Sequence, residues 1–386
     1  MQKQLRQEHV FVEDDRKGAY ITDITGSKFI DCYSSASTYN LGRRNEQLIA
    51  SLKEAILKTD QGNFPMISEQ KALLAKRISE FVPGPTDCVL YGVTRGESMD
   101  AACKLARGAT GRPVLVTVDG GYYGDTGFAL SLSEHPLKSD FGELIPDITV
   151  VPYGDNEAAE RAINQNTAAF IIELVQAENH CRTAETDYIK HIRSLCDKTG
   201  SCLIIDESQT GLGRTGKKFA FEHFGIYPDI LVIGEAITGG IFPLTAVVFT
   251  MELKKFFDIH PLIHLSTFAG HDVGCMVAIA ALDEYEKICP WENAVEKGTK
   301  IINELSPLIS SDNRIKYLNG LGLLISITFE SSESANRFCL LAKKNSVLLC
   351  NGIVDDSSCL IRPSLLITED ETGLIIQSIK TALSEL

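Results

Sequence analysis

Asp206 and Glu207 close an apolar run, LIIDE, that opens into the polar, glycine-rich loop SQTGLGRTG. A second run, DILVIG, opens in the same way into EAITGGIFP, which carries Glu235 and the Gly239-Gly240 pair. Both runs predict buried strands, and ligands of open α/β sheets sit in the crevice beyond strand carboxyl ends. Upstream, CVLYGV, TRGE and SMDAACKLARGATG predict a strand, a turn and a helix. This puts Gly96 at a helix N-terminus, where backbone N–H groups and the helix dipole attract a phosphate. The loop that follows the next strand, Gly120 to Gly124, holds Tyr122 and Tyr123 and offers a stacking ring. A strand-end acid, a phosphate cup and an aromatic plate together suit a phosphorylated, protonated heteroaromatic ring.

Those groups must be held by the elements around them. From about residue 68 the pattern alternates helix and strand: SEQKALLAKRISEFV with Ser68 as N-cap, then VLVTV, ITVVPY, AFIIEL and CLIIDE. Between the last two lies DYIKHIRSLCDKTG, stopped by Gly200. Strands separated by helical segments imply crossover connections and a mainly parallel sheet. LTAVVFT follows the glycine turn closely enough to be an antiparallel neighbour. Beyond CPWEN the chain reads as α+β, with GLLISITFES, the helix SANRFCLLAKKN, and a last helix opened by the capping box Thr368-x-x-Glu371. The expected architecture is α/β: a large domain over residues 51–285 and a smaller α+β domain built from residues 1–50 and 286–386.

Composition narrows the function classes. The 386 residues are 44% hydrophobic and 23% charged, which is ordinary for a soluble protein with a large core. A net charge of -14 speaks against nucleic acid or an anionic membrane as partner. The eleven cysteines are scattered without a C-x-x-C pair, and the histidines lack ligand spacing, so neither a disulfide framework nor a metal site is expected. The start, MQKQLRQEHV, has no apolar stretch and no apolar run reaches 18 residues, so a cytoplasmic location is the expectation.

The chain resembles the class III aminotransferases, pyridoxal-phosphate enzymes of fold type I, from GSKFIDCYSSASTYNLG to RPSLLIT. The most specific stretch is DESQTGLGRTGKKFAFEHFGIYPDILVIG; STFAGHDVGC and GESMDAACKLAR resemble two further family segments. The resemblance implies that Asp206 pairs with the pyridinium nitrogen, Gln209 sits near the phenolic oxygen, and Tyr122 stacks on the ring. It places Gly96 and Glu97 at the phosphate end, with Glu173 and Gln176 near the cofactor. Ser266 and Thr267 would reach the neighbouring subunit's phosphate, which makes a homodimer part of the expectation. A small-molecule amine or carbonyl compound would be the substrate. Arg362 is the candidate for a substrate carboxylate, although it stands directly before Pro363 where the family's arginine stands earlier.

One departure dominates: Glu235 occupies the position of the lysine that forms the internal aldimine, with Asp229, Gly234, Gly239, Gly240 and Pro243 in register around it. A carboxylate forms no imine and cannot displace product as an amine does. Arg95 replaces a small residue of the phosphate cup, Tyr123 a histidine, and Ser208 an apolar residue. Three accounts stay open. Pyridoxal or pyridoxamine phosphate could bind non-covalently with Glu235 as a proton shuttle and Arg95 offsetting the crowded negative charge. The chain could be a degenerate homologue acting as a dimer partner or binding protein. Or it could be an ordinary transaminase carrying an engineered lysine-to-glutamate change.

Overall fold

The computed structural model describes residues 11–85 and 87–386; the leading MQKQLRQEHV stretch lies outside them. Seven strands form the central sheet in the spatial order Cys88–Gly92, Thr245–Phe249, Ile230–Ile233, Cys202–Glu207, Thr167–Ile172, Val114–Val118, Ile148–Val151. Thr245–Phe249 runs antiparallel to both of its neighbours and the remaining pairs are parallel. The antiparallel strand has a local cause: the Gly239-Gly240 turn, both residues at positive φ, sends the chain straight back instead of through a crossover helix.

Strand alternation builds two cores from one sheet. Phe170, Ile172, Leu203, Ile205, Leu231 and Ile233 point to one side, against the helices Glu69–Phe81, Thr186–Thr199 and Asp272–Ile288. Ala169, Ile171, Ile204, Ile230, Val232 and Val247 point to the other, against Arg95–Thr110 and Met251–Ile259. Covering both faces explains why these strands read as unbroken apolar runs. The helices start and stop on local chemistry: Ser68 and Thr94 accept backbone N–H groups at their N-termini, and Gly111 and Gly200 close helices at positive φ. Among the described residues no helix is long and apolar enough to cross a membrane.

A further core joins Ala19, Ile30 and Cys32 to residues between Ala294 and Leu383. Its antiparallel sheet holds Ile315–Leu321, Leu324–Phe329, Ser358–Ile361 and Cys350–Asn351, and Lys28–Asp31 pairs in parallel with Val347–Leu348. The helices Pro290–Ile309, Ser332–Lys344 and Glu369–Glu385 cover it, the last opened by the Thr368/Glu371 capping box. Arg214, in the loop after Cys202–Glu207, ties the two parts together. Its fully buried guanidinium donates to the carbonyls of Leu323 at 2.9 Å and Pro363 at 2.6 Å and to Asn40 Oδ1 at 2.5 Å. Among the described residues it has no carboxylate partner, and burial lowers its pKa to about 9.

Candidate active site

Asp206 and Glu207 are adjacent in a strand and so face opposite ways. Glu207 turns from the crevice to accept from the backbone N–H groups of Ala220 and Phe221, both at 2.8 Å, and from Thr210 Oγ1 at 2.9 Å. Burial pushes its pKa up to about 7. Asp206 alone enters the crevice. Its Oδ1 is held by the backbone N–H of Ser208 at 2.8 Å and by the Ser208 hydroxyl at 2.5 Å. Ser208, a departure from the apolar residue expected at that position, thus fixes the acid from below.

The other oxygen of Asp206 is taken by Arg95. Sequence reasoning puts Arg95 at the phosphate end, but its side chain runs inward. Nε and Nη2 lie 2.9 and 2.8 Å from Asp206 Oδ2, and Nη2 also lies 2.8 Å from Glu173 Oε1. Two buried acids draw the guanidinium in, because a buried carboxylate without a cation is costly. Burial works against the charge on Arg95, and Asp206 and Glu173 more than offset it, so its pKa is raised. Arg95 also lies 5.1 Å from the centre of the Tyr122 ring, within cation–π range.

Glu173 completes the cluster. Its Oε2 accepts from the Tyr122 backbone N–H at 3.0 Å, which fixes the loop that carries the ring. Burial, with the neighbouring charge of Asp206, pushes Glu173 up to about 8 against the pull of Arg95. Because the folded value lies above the unfolded one, this group's contribution to stability falls as pH rises through the folded value. In Glu173→Gln that slope should vanish; urea unfolding at pH 5.5 and 7.5 measures it, and equal slopes in the two proteins would refute the assignment.

At the mouth of the crevice, Arg95 is the first residue of the helix Arg95–Thr110 and Gly96 the second. Gly96 and Gly124 touch backbone to backbone: a Cβ on Gly124, at φ +120°, would lie 2.9 Å from Gly96 Cα. Glu97 accepts from the Val93 N–H at 2.6 Å and serves the helix start. The helix's first N–H, that of Arg95, donates to Glu235 Oε1 at 2.9 Å. Glu235 reaches it from the 3-10 turn Glu235–Thr238, whose preceding Gly234 is pressed so closely to the floor that a Cβ would stand 2.4 Å from the Ser208 carbonyl oxygen.

The remaining candidates lie in two other places. Gln209 Oε1 accepts from Arg362 Nη1 at 2.6 Å, and that nitrogen is paired with Glu178 Oε1 at 2.7 Å in a fully buried cluster. Burial opposes ionisation of Glu178, but Arg362 outweighs it and lowers the pKa. Arg362 is thus already neutralised by Glu178, a partner that sequence reasoning missed because 184 positions separate them. Gln176 donates to the Asp119 carbonyl at 2.5 Å. Tyr123 is buried and its hydroxyl bonds with Thr117. Ser266 and Thr267 lie on a largely exposed segment, where the Thr267 carbonyl accepts from Gln61. Lys218 pairs with Glu286 and lies over Phe81, away from the crevice.

A family model described as Aminotransferase class-III matches residues 1–383. The chain belongs to the class III aminotransferases. An uncharacterized aminotransferase of Archaeoglobus fulgidus is 34% identical over 97% of this chain and 88% of its own length. A putrescine aminotransferase of Pectobacterium atrosepticum is 30% identical over 95% and 81%. The ornithine aminotransferase of Toxoplasma gondii, a structure with partial occupancy of PLP at its active site, superposes with a TM-score of 0.91 at 26% identity, covering all of this chain and 94% of the other. Class III aminotransferases depend on pyridoxal phosphate, and the fold type I architecture is that of the family's structures.

At the two positions that the resemblance assigns to such a cofactor, the side chains as they stand do not fit it. The free oxygen of Asp206, which would meet a pyridinium N–H, is bonded to Arg95. The first N–H of the helix, which would meet a phosphate, is bonded to Glu235. Both anchor points are engaged from within the chain.

Proposed function

We propose that this chain is a class III aminotransferase homologue without transaminase turnover, acting as a homodimeric partner or binding subunit. The observation that carries this reading is Glu235 itself: its carboxylate stands at the position expected for the reactive lysine and is bonded at 2.9 Å to the Arg95 N–H. A proton shuttle would need that carboxylate free above a ring; its bond to the helix N-terminus supports the silent reading instead.

Support for the dimer comes from two segments joined by the Gln61–Thr267 hydrogen bond. They expose Met66 and Ile67 on one side and Leu262, Ile263, Leu265 and Phe268 on the other. Exposed apolar side chains on two joined segments suit burial against a second copy. The test is direct. Purified protein is supplied with pyridoxal phosphate, putrescine or ornithine as amine donor, and a 2-oxo acid acceptor, while its mass in solution is measured by sedimentation. The expected result is a species of two chains that forms no amino acid above the level of free cofactor. Turnover near the ordinary enzymatic range of about 1–1000 per second would overturn the silent reading. A monomer would overturn the dimer.

A further inference from the structure

We infer that Arg95 and Glu235 form a built-in stand-in for the cofactor, matching it group for group. The inference deepens the silent reading above and rests on it. A class III site offers an acid for a flat cation, a ring to stack on it, and a helix N-terminus for an anion. Here the flat cation is the Arg95 guanidinium, bonded through Nε and Nη2 to Asp206 Oδ2 and 5.1 Å from the Tyr122 ring centre. The anion is the Glu235 carboxylate on the Arg95 N–H. Cation replaces cation, and anion replaces anion.

The two substitutions fill the two ends of one site. With Glu235 and a small residue at position 95, Asp206 and Glu173 would stay buried without the guanidinium that both now share. With Arg95 and a lysine at 235, the helix N-terminus would face an ammonium where its dipole favours an anion. Although 140 positions apart, Arg95 and Glu235 meet where the backbone N–H of the first donates to the second, at the point from which the Arg95 side chain turns inward. The guanidinium also holds Glu173, which holds the Tyr122 backbone, so the pair keeps the loop ordered. Cofactor and Arg95 are mutually exclusive on Asp206, and the closed arrangement discounts cofactor affinity by the fraction of time that the site is open.

The experiment uses pyridoxal phosphate as probe with the full-length protein, Arg95→Ala, Glu235→Lys and the double variant, each checked for fold by far-ultraviolet circular dichroism. Calorimetry and thermal melting read binding; borohydride fixation followed by mass spectrometry reads attachment. The double variant is expected to bind about a hundredfold more tightly than the native chain, to melt at a higher temperature with the probe present, and to carry a fixed adduct. Arg95→Ala alone should gain affinity without an adduct. Should the double variant fold only when the probe is added, the stand-in is supported equally. Native protein that binds the probe as tightly as Arg95→Ala would overturn the inference, as would a folded double variant that does not bind. In the latter case a native chain without turnover would leave the silent reading standing, whereas native turnover would remove both.

Discussion

Arg95→Met is expected to lower the stability of the fold by about 3–5 kcal/mol at neutral pH, the usual consequence of removing one partner from a buried ion pair. Methionine fills much of the arginine's volume, so the loss is electrostatic. Asp206 and Glu173 would remain buried and near each other, with Ser208 and the Tyr122 N–H as their remaining hydrogen-bond donors. Without the cation, burial and the facing acid push Glu173 higher still, so the deficit relative to the native protein should grow as pH rises through the range in which native Glu173 ionises. Urea unfolding at pH 5 and pH 8 measures this. A loss below about 1 kcal/mol, within the scatter of ordinary substitutions, and the same at both pH values would refute it.

Arg362→Met should cost a similar 3–5 kcal/mol by leaving Glu178 buried and unpaired. In the native protein the folded pKa of Glu178 is depressed. The pair's contribution is therefore fully present above the unfolded carboxylate value and is lost as pH falls through the folded one. The variant reverses that sign, becoming relatively more stable in acid. A companion Arg362→Met/Glu178→Met protein, with neither charge, should recover most of the loss, because apolar replacement of a whole buried pair is close to neutral. If the double variant is as unstable as the single, packing and not charge holds this part of the fold together.

The outline of this molecule was legible because it rests on local chemistry. Alternating apolar runs and capped helices predict the parallel sheet, and the short Gly239-Gly240 connection predicts the antiparallel strand. The places of Asp206 at a strand end and Gly96 at a helix start follow from the same patterns. Where Arg95 would point did not follow, since a long side chain at a helix start can turn outward to solvent or inward to buried acids. The acids that attract it lie 78 and 111 positions away. Ser208 looked like a lost contact and is a gained one, a distinction that only the position of Asp206 Oδ1 reveals. The strand period separates Asp206 from Glu207, and that signal was available in the sequence.

Arg214 gives the molecule a mechanical character. One guanidinium receives its acceptors from three distant stretches of chain, at Asn40, Leu323 and Pro363, with no water-exposed edge at which the grip could loosen gradually. The loop below Asp206 and the terminal core are therefore pinned to each other through one side chain. Rocking of one part against the other would strain all three bonds, so this joint resists gradual movement.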